Sequence, residues 1–227
     1  MKWQLLSTIS APMPFQMALD QLLFEKQKNE NQKPLLRFYY SSEPWISVGY
    51  SFRDASAFSR SELVRTHPSI PVCRRLTGGG CVFHGRDLIF SFIVRTDVDP
   101  EKLGSVRTSY SKIHESVKMG FEALGLNLKF YRLAEELPKG NDCFRFPVVS
   151  DLAWKGQKIA GGAQKRSQGV LLHQESIQVP DGMESKKLIA GIIKGFEAVF
   201  NVTVTEETWD PGLFFEAEKG KGLTESH

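Results

Sequence analysis

The sequence predicts an α+β fold, a mixed β-sheet core with packed helices. Three observations carry this. Extended apolar segments crowd the middle of the chain, helical periodicity returns only singly between them, and no linker, repeat or low-complexity tract breaks the composition. A regular alternation of strand and helix is missing, so a doubly wound parallel sheet is not expected. With 227 residues, 41% of them hydrophobic, the chain can bury a sizeable core. It reads as a single domain over 1–227.

The elements follow in order. A first helix begins near Pro14, where Phe15, Leu19 and Leu22 recur at helical spacing and proline suits the first turn. The polar segment 25–33 is expected to be exposed. Segments 35–40 and 45–50 read as strands joined by the turn Ser41-Ser42-Glu43-Pro44. Val72 and Cys73, a glycine run and 81–84 suggest strand, loop and strand, and 88–94 a buried strand. A second helix spans about 109–124, with Ile113, Val117, Phe121 and Leu124 on one face and Gly125 as terminator. Segments 151–154 and 158–160 read as strands around the turn Lys155-Gly156, and 169–173 and 176–179 continue extended. A third helix covers about 185–200, with Leu188, Ile192, Phe196 and Val199 on one face. The polar residues from Glu216 on are expected to fray.

Bulk properties narrow the function. A net charge of +3 without clustered Lys and Arg gives no nucleic-acid stripe. The longest apolar stretch, 88–94, is interrupted by Ser91 and falls far short of the roughly 20 residues a membrane helix needs. Met1-Lys2-Trp3 opens no signal-peptide core. A cytoplasmic protein without membrane contact is the expectation. Cys73, Cys81 and Cys143 make an odd count without metal-ligand spacing, and Cys73 and Cys81 sit where cysteine packs as a small hydrophobe.

Three stretches can carry chemistry. In Arg74-Arg75-Leu76-Thr77-Gly78-Gly79-Gly80-Cys81-Val82-Phe83-His84, consecutive glycines expose backbone N–H groups and let a ligand approach, and two arginines add positive charge. The spacing matches neither a P-loop nor a dinucleotide fingerprint, and a glycine triplet alone is more often a flexible hairpin. In the second stretch, 151–164, Lys158 precedes Ile159-Ala160-Gly161-Gly162-Ala163-Gln164, whose small residues leave room for something bulky. Its ammonium can polarise a carbonyl or pair with a phosphate, while Lys155 reads as a plain surface lysine. Cys143, in a loop two residues before Arg145, is a candidate thiolate nucleophile, with a non-functional thiol as the blander alternative. His84 and His173, 89 positions apart, are more often structural than ligating, and no metal site is expected.

Taken together, these stretches resemble the biotin/lipoate protein ligase catalytic domain over about 15–200. The resemblance also takes in Met17-Ala18-Leu19-Asp20, Leu36-Arg37-Phe38-Tyr39, Glu43-Pro44 and Ser47-Val48-Gly49-Tyr50. It implies that Arg74, Arg75, Thr77, Gly78, Gly79, Gly80, His84, Gly161, Ala163 and His173 bind the acyl group or its adenylate, and that Lys158 contacts the acyl carbonyl or a phosphate. Cys143-Phe144-x-x-Pro147, fifteen residues before Lys158, resembles the catalytic cysteine segment of the Gram-positive-type octanoyltransferase branch. That branch implies transfer of an octanoyl or lipoyl group through a Cys143 thioester without a cofactor. The donor would be an acyl carrier protein, and the acceptor a lysine of a lipoyl domain or a glycine cleavage H-type protein. The alternatives are an ATP- and Mg2+-dependent lipoate ligase acting through lipoyl-adenylate, and a non-catalytic binder of acyl groups or lipoyl domains. Biotin ligation fits the motifs less well.

The sequence departs from the family pattern in three places. His84 is followed by Gly85, with Asp87 further on, where His-Asp is usual. His173 is followed by Gln174 and Glu175, where His-Gly is usual. Little chain follows the third helix, so no accessory domain is expected within it, and an accessory subunit would have to be separate.

Overall fold

A computed structural model describes all residues except 31, 53–60, 132–141, 146 and 224–227. An eight-stranded mixed sheet runs in the order β11-β1-β2-β6-β10-β9-β8-β7. Its strands are β1 (Lys2–Ala11), β2 (Leu35–Ser41), β6 (Leu88–Arg95), β7 (Lys129–Phe130), β8 (Leu152–Trp154), β9 (Gln157–Ser167), β10 (Val170–Ile177) and β11 (Thr203–Glu207). β1 lies parallel to both β2 and β11, and the remaining pairs are antiparallel. A smaller sheet places β3 (Trp45–Val48) between β4 (Val72–Arg74) and β5 (Cys81–His84).

Helices cover both faces of the large sheet. On one face α1 (Met13–Asn29) and α6 (Pro211–Gly220) pack against Leu6, Leu35, Ile93 and Leu172. On the other, α4 (Val106–Glu122) and α5 (Ser185–Phe200) pack against Leu5, Leu36, Phe92 and Leu171. Adjacent residues thus go to opposite layers, as the two-residue repeat of a strand requires. The short helices α2 (Glu62–Thr66) and α3 (Pro100–Leu103) complete the described elements. Glycines let α4 and α5 meet at backbone contact. A Cβ on Gly195 would fall 2.2 Å from the Ser116 carbonyl, and one on Gly120 2.6 Å from Ile192 Cγ1.

Inside the layer between β2 and α1, Arg37 Nε donates to Asp20 Oδ1 at 2.7 Å, and Arg37 also binds Gln16 through its side chain and its carbonyl, each at 2.8 Å. Both charges are buried, so each meets the other and further hydrogen-bond partners instead of water.

Three expectations change. Segment 25–33 is not uniformly exposed: α1 continues to Asn29, and buried Gln27 donates to the Gln32 carbonyl at 2.8 Å. Glu216 does not begin a frayed tail but lies in α6, where Leu213 and Ala217 are buried. Strands β1 and β11, unmarked by periodicity, pair with each other and hold Trp3 in the core.

Candidate active site

A cleft of about 840 Å3, counting its open mouth, lies between the small sheet and the β9–β10 end of the large one. Met13 and Met17 from α1, Tyr39, Val82 and Ile89 form its apolar end. Of the candidate residues named from the sequence, Arg75, Gly79, Gly80, His84, Cys143, Lys158, Gly161 and Ala163 line the rest. Arg74, Thr77, Gly78 and His173 are not on the wall.

The glycine loop is held from behind. Arg75 is buried, and its guanidinium donates to the Ser47 carbonyl (3.1 Å), the Ser47 hydroxyl (3.0 Å), and the Gly78 and Gly80 carbonyls (2.8 and 2.9 Å). Its charge therefore braces the loop instead of waiting for a phosphate, a correction to the reading of Arg75 as a direct anion ligand. Gly79 needs its glycine, with φ at +86°. Gly49 needs one as well, because a Cβ there would stand 2.1 Å from the Gly79 carbonyl. Thr77 is buried and donates to Gln174 Oε1 at 2.7 Å, which puts it one layer behind the wall.

The departure at Gly85 does not cost His84 its carboxylate. Asp87 reaches back to His84 Nδ1 at 2.7 Å, and accepts from the Gly85 amide (3.1 Å) and the Ser176 hydroxyl (2.6 Å). Nε2 of the same ring lies 2.7 Å from Ser47 Oγ. Burial alone would raise the Asp87 carboxyl, but His84, Ser176 and Gly85 together hold it below the ordinary aspartate value.

Cys143 is half-buried, in a turn built by its neighbour. Asp142 Oδ1 accepts from the amides of Phe144 (3.1 Å) and Arg145 (3.3 Å), an Asx turn, and the Cys143 amide donates to the Cys81 carbonyl at 3.0 Å. The Gly80 amide points at Cys143 Sγ from 3.2 Å. Arg145, expected to favour the thiolate, instead pairs with Glu62, and it is a backbone N–H that meets the sulfur. Cys73 and Cys81 are buried, as expected, and burial pushes the Cys81 thiol up.

Lys158 Nζ donates to Asp151 Oδ2 at 2.8 Å and to the Cys143 carbonyl at 3.0 Å. Two of its three donors are therefore engaged, leaving at most one for a ligand. The space beside it is its own: a Cβ on Gly161 would lie 2.3 Å from Lys158 Nζ. The small residue at 161 thus makes room for the lysine, where the sequence reading expected room for a bulky ligand. Lys155 is exposed above the Trp154 ring, 4.3 Å from its centroid. Tyr110 donates to Asp151 Oδ1 (3.1 Å) or the Gly162 carbonyl (2.7 Å), and burial next to Asp151 and Glu175 pushes its hydroxyl well up.

The floor is the other departure. Gln174 lines the cleft and donates to Asp20 Oδ2 at 2.6 Å, which ties the floor to the buried Arg37 pair. Glu175 is buried, with Oε2 3.0 Å from His114 Nε2 and 2.8 Å from His173 Nε2. Burial alone would raise its carboxyl, yet the two imidazoles hold it at about 2. His114, though buried, is raised by the same carboxylate and by the Ser150 carbonyl, whereas burial keeps His173 low. Sequence reasoning did not select Ser47, Asp87, Tyr110, Asp151, Met13 or His114. Of these, Asp87 lies three residues after His84, Asp151 opens the lysine stretch and Ser47 falls in a motif of the resemblance, whereas Tyr110, Met13 and His114 carried no local signal.

A mixed sheet whose glycine loop and lysine strand wall an apolar cleft defines a catalytic-domain class shared by ligases and transferases of acyl groups. The chain belongs to the lipoyl protein ligase A/B catalytic domain family, which it matches over residues 12–191. It is 34% identical over 182 residues to the octanoyltransferase LipM of Bacillus subtilis, a match that covers 77% of this chain and 64% of that protein. The chain thus spans less than two thirds of this relative's length. Among solved structures, lipoate-protein ligase A bound with ATP superimposes with a TM-score of 0.76 at 20% identity, covering 98% of this chain and 95% of that one. The bi-partite lipoate protein ligase of Thermoplasma acidophilum gives 0.72 at 20% identity, covering 100% and 99%. Both share the fold. Among the described residues no helix is long and apolar enough to cross a membrane.

Proposed function

We propose that this chain transfers an octanoyl or lipoyl group onto a lysine of a lipoyl domain by way of a Cys143 thioester. The observation that carries the proposal is the half-buried Cys143 on the cleft wall, with the Gly80 amide aimed at its sulfur. A thiolate there attacks the thioester carbonyl carbon of an acyl carrier protein. The new C–S bond forms as the donor's C–S bond breaks, and the donor thiol leaves with a proton. The acceptor lysine amine then attacks the acyl-enzyme, loses a proton, and releases Cys143. The acyl chain lies against Met13, Met17, Tyr39 and Ile89, the apolar end of the cleft. The free donor of Lys158 steadies the oxyanion in both steps. The similarity to octanoyltransferase LipM supports this route, which needs neither ATP nor a metal ion. A cytoplasmic location follows from the carrier-protein donor, and a glycine cleavage H-type protein is a further acceptor.

The test is the mass of an apo lipoyl domain after incubation with this protein and either octanoyl-carrier protein without ATP, or octanoate or lipoate with Mg-ATP. An acyl shift with the carrier donor alone, a trapped acyl adduct on Cys143, and loss of both in Cys143→Ala are the expected results. A shift with ATP alone, undiminished in Cys143→Ala, establishes the adenylate-forming ligase in its place.

A further inference from the structure

Beneath the cleft, His114 from α4 converges with His173 and Glu175 from β10, and acyl transfer uses none of the three. All are buried, and one ligand atom from each lies within 4.8 Å of the others. Both rings turn Nε2 inward, to 3.0 and 2.8 Å from Glu175 Oε2. Both have the outer nitrogen anchored, His114 Nδ1 on the Ser150 carbonyl and His173 Nδ1 at 3.3 Å from the Gln164 side-chain amide. An engaged outer nitrogen with the inner one presented to a common point is how metal-ligating histidines are oriented.

A second observation points the same way. Glu175 Oε1 is buried without a hydrogen-bond partner, although Glu175 lines the cleft. A hydrogen-bonded cluster of two imidazoles and a carboxylate accounts for Oε2 and leaves Oε1 unexplained. Space at the convergence point is also kept open by the chain, since a Cβ on Gly162 would stand 2.2 Å from Glu175 Oε2 and 2.5 Å from His173 Nε2.

We propose that His114, His173 and Glu175 form a binding site for one first-row divalent cation of the zinc class. Two imidazole nitrogens and a carboxylate suit such an ion, whereas magnesium and calcium take oxygen ligands. Three protein ligands leave a fourth position, and the cleft side of Glu175 is where it opens. Ligation requires the His173 proton to reside on Nδ1, which Gln164 accepts by presenting its oxygen in place of its nitrogen. That rotation gives up the 3.3 Å bond from Arg166 Nε, while the Arg166 guanidinium keeps the Leu103 and Ser105 carbonyls. The ion would staple α4 to β10 under the pocket. This holds whichever acyl chemistry the cleft performs.

The test titrates zinc into the full chain after stripping with a chelator, against a chromophoric competitor, with melting temperature read in parallel. One equivalent bound with a melting rise from zinc, and no rise from magnesium, is expected. Glu175→Gln and His173→Asn should each weaken binding by about 100-fold or more, since losing even an outer partner of a ligand costs about 10–100-fold. His67→Ala, at an exposed histidine, should bind as wild type does. Should the ligand variants fail to fold, the cobalt(II) spectrum of the wild type decides: a nitrogen and oxygen ligand field supports the site, and thiolate charge-transfer bands place the metal on a cysteine and overturn it. No stoichiometric zinc binding, or equal affinity in folded variants, also overturns it and leaves a buried hydrogen-bond cluster.

Discussion

Asp151 has no exposure to water, and Lys158 is the cation that faces it at 2.8 Å. Removing one partner of a buried pair leaves the other's charge without compensation. Lys158→Met should therefore cost about 3 kcal/mol of stability, the lower end of that range, because Tyr110 and the Val148 amide still serve Asp151. Urea denaturation measures it, and an undestabilised variant would show that the pair is not a structural strut. Asp87 makes a prediction about acid. Its folded value lies below the ordinary 3.8, so its stabilisation is present above that value and is lost as pH falls through the folded one. Asp87→Asn should lower the urea midpoint at about pH 5 and narrow its gap to wild type at about pH 3. An equal gap at both would sink this account. At this scale the sequence was informative where neighbours in the chain are neighbours in the site. The glycine loop, Cys143 and Lys158 were legible because each sits in a local pattern. His114 was not, because its partner Glu175 is 61 positions away and no spacing rule joins a residue on a helix to a strand that far along. Arg75 was seen, but its role was misread: two adjacent arginines look alike in sequence, and only the fold shows which one turns inward.

Helix α6 shows how an element can be missed and still matter. Its second half carries three charged residues, Glu216, Glu218 and Lys219, which read as a polar tail, yet Leu213 and Ala217 close the α1 layer and Phe214 meets Phe15 with ring centroids 5.9 Å apart. Leu213→Ala should cost about 2–3 kcal/mol, the lower part of the range for a buried leucine, because Leu213 keeps 8% exposure at the edge of its layer. Thermal unfolding reads it, and an unchanged melting temperature would mean the helix is not part of the cooperative core. Helices α4 and α5 were legible because each buries apolar residues at helical spacing, Ile113, Val117 and Phe121 in one and Leu188, Ile192 and Phe196 in the other. Strands β1 and β11 were not. Their residues mix polar and apolar side chains without strict alternation, and β1 is irregular between Leu6 and Ile9. The pairing that makes them strands comes from opposite ends of the described chain.

The whole molecule is a sheet sandwiched by two helical layers, and the cleft forms where the small sheet leans on one end of that stack. The α+β class was readable from strands that cluster and helices that come singly. The order of the strands was not, because β1 finds β11 and β6 finds β10 across long stretches of chain, and hydrophobic pattern encodes a face without encoding a neighbour. The family resemblance supplied what periodicity could not, and the chain's membership in the family accounts for that. The two departures that touch the cleft took opposite courses. Asp87 restores what Gly85 displaces, while Gln174 and Glu175 bring new polar groups under the floor.

The brace behind the glycine loop has a kinetic meaning. Arg75 holds two of the loop's carbonyls in place without any ligand, so the loop has little freedom left to surrender on binding one. Recognition at this wall is a lock already cut. For a ligand docking against this wall, the loop itself adds no ordering step between collision and seating.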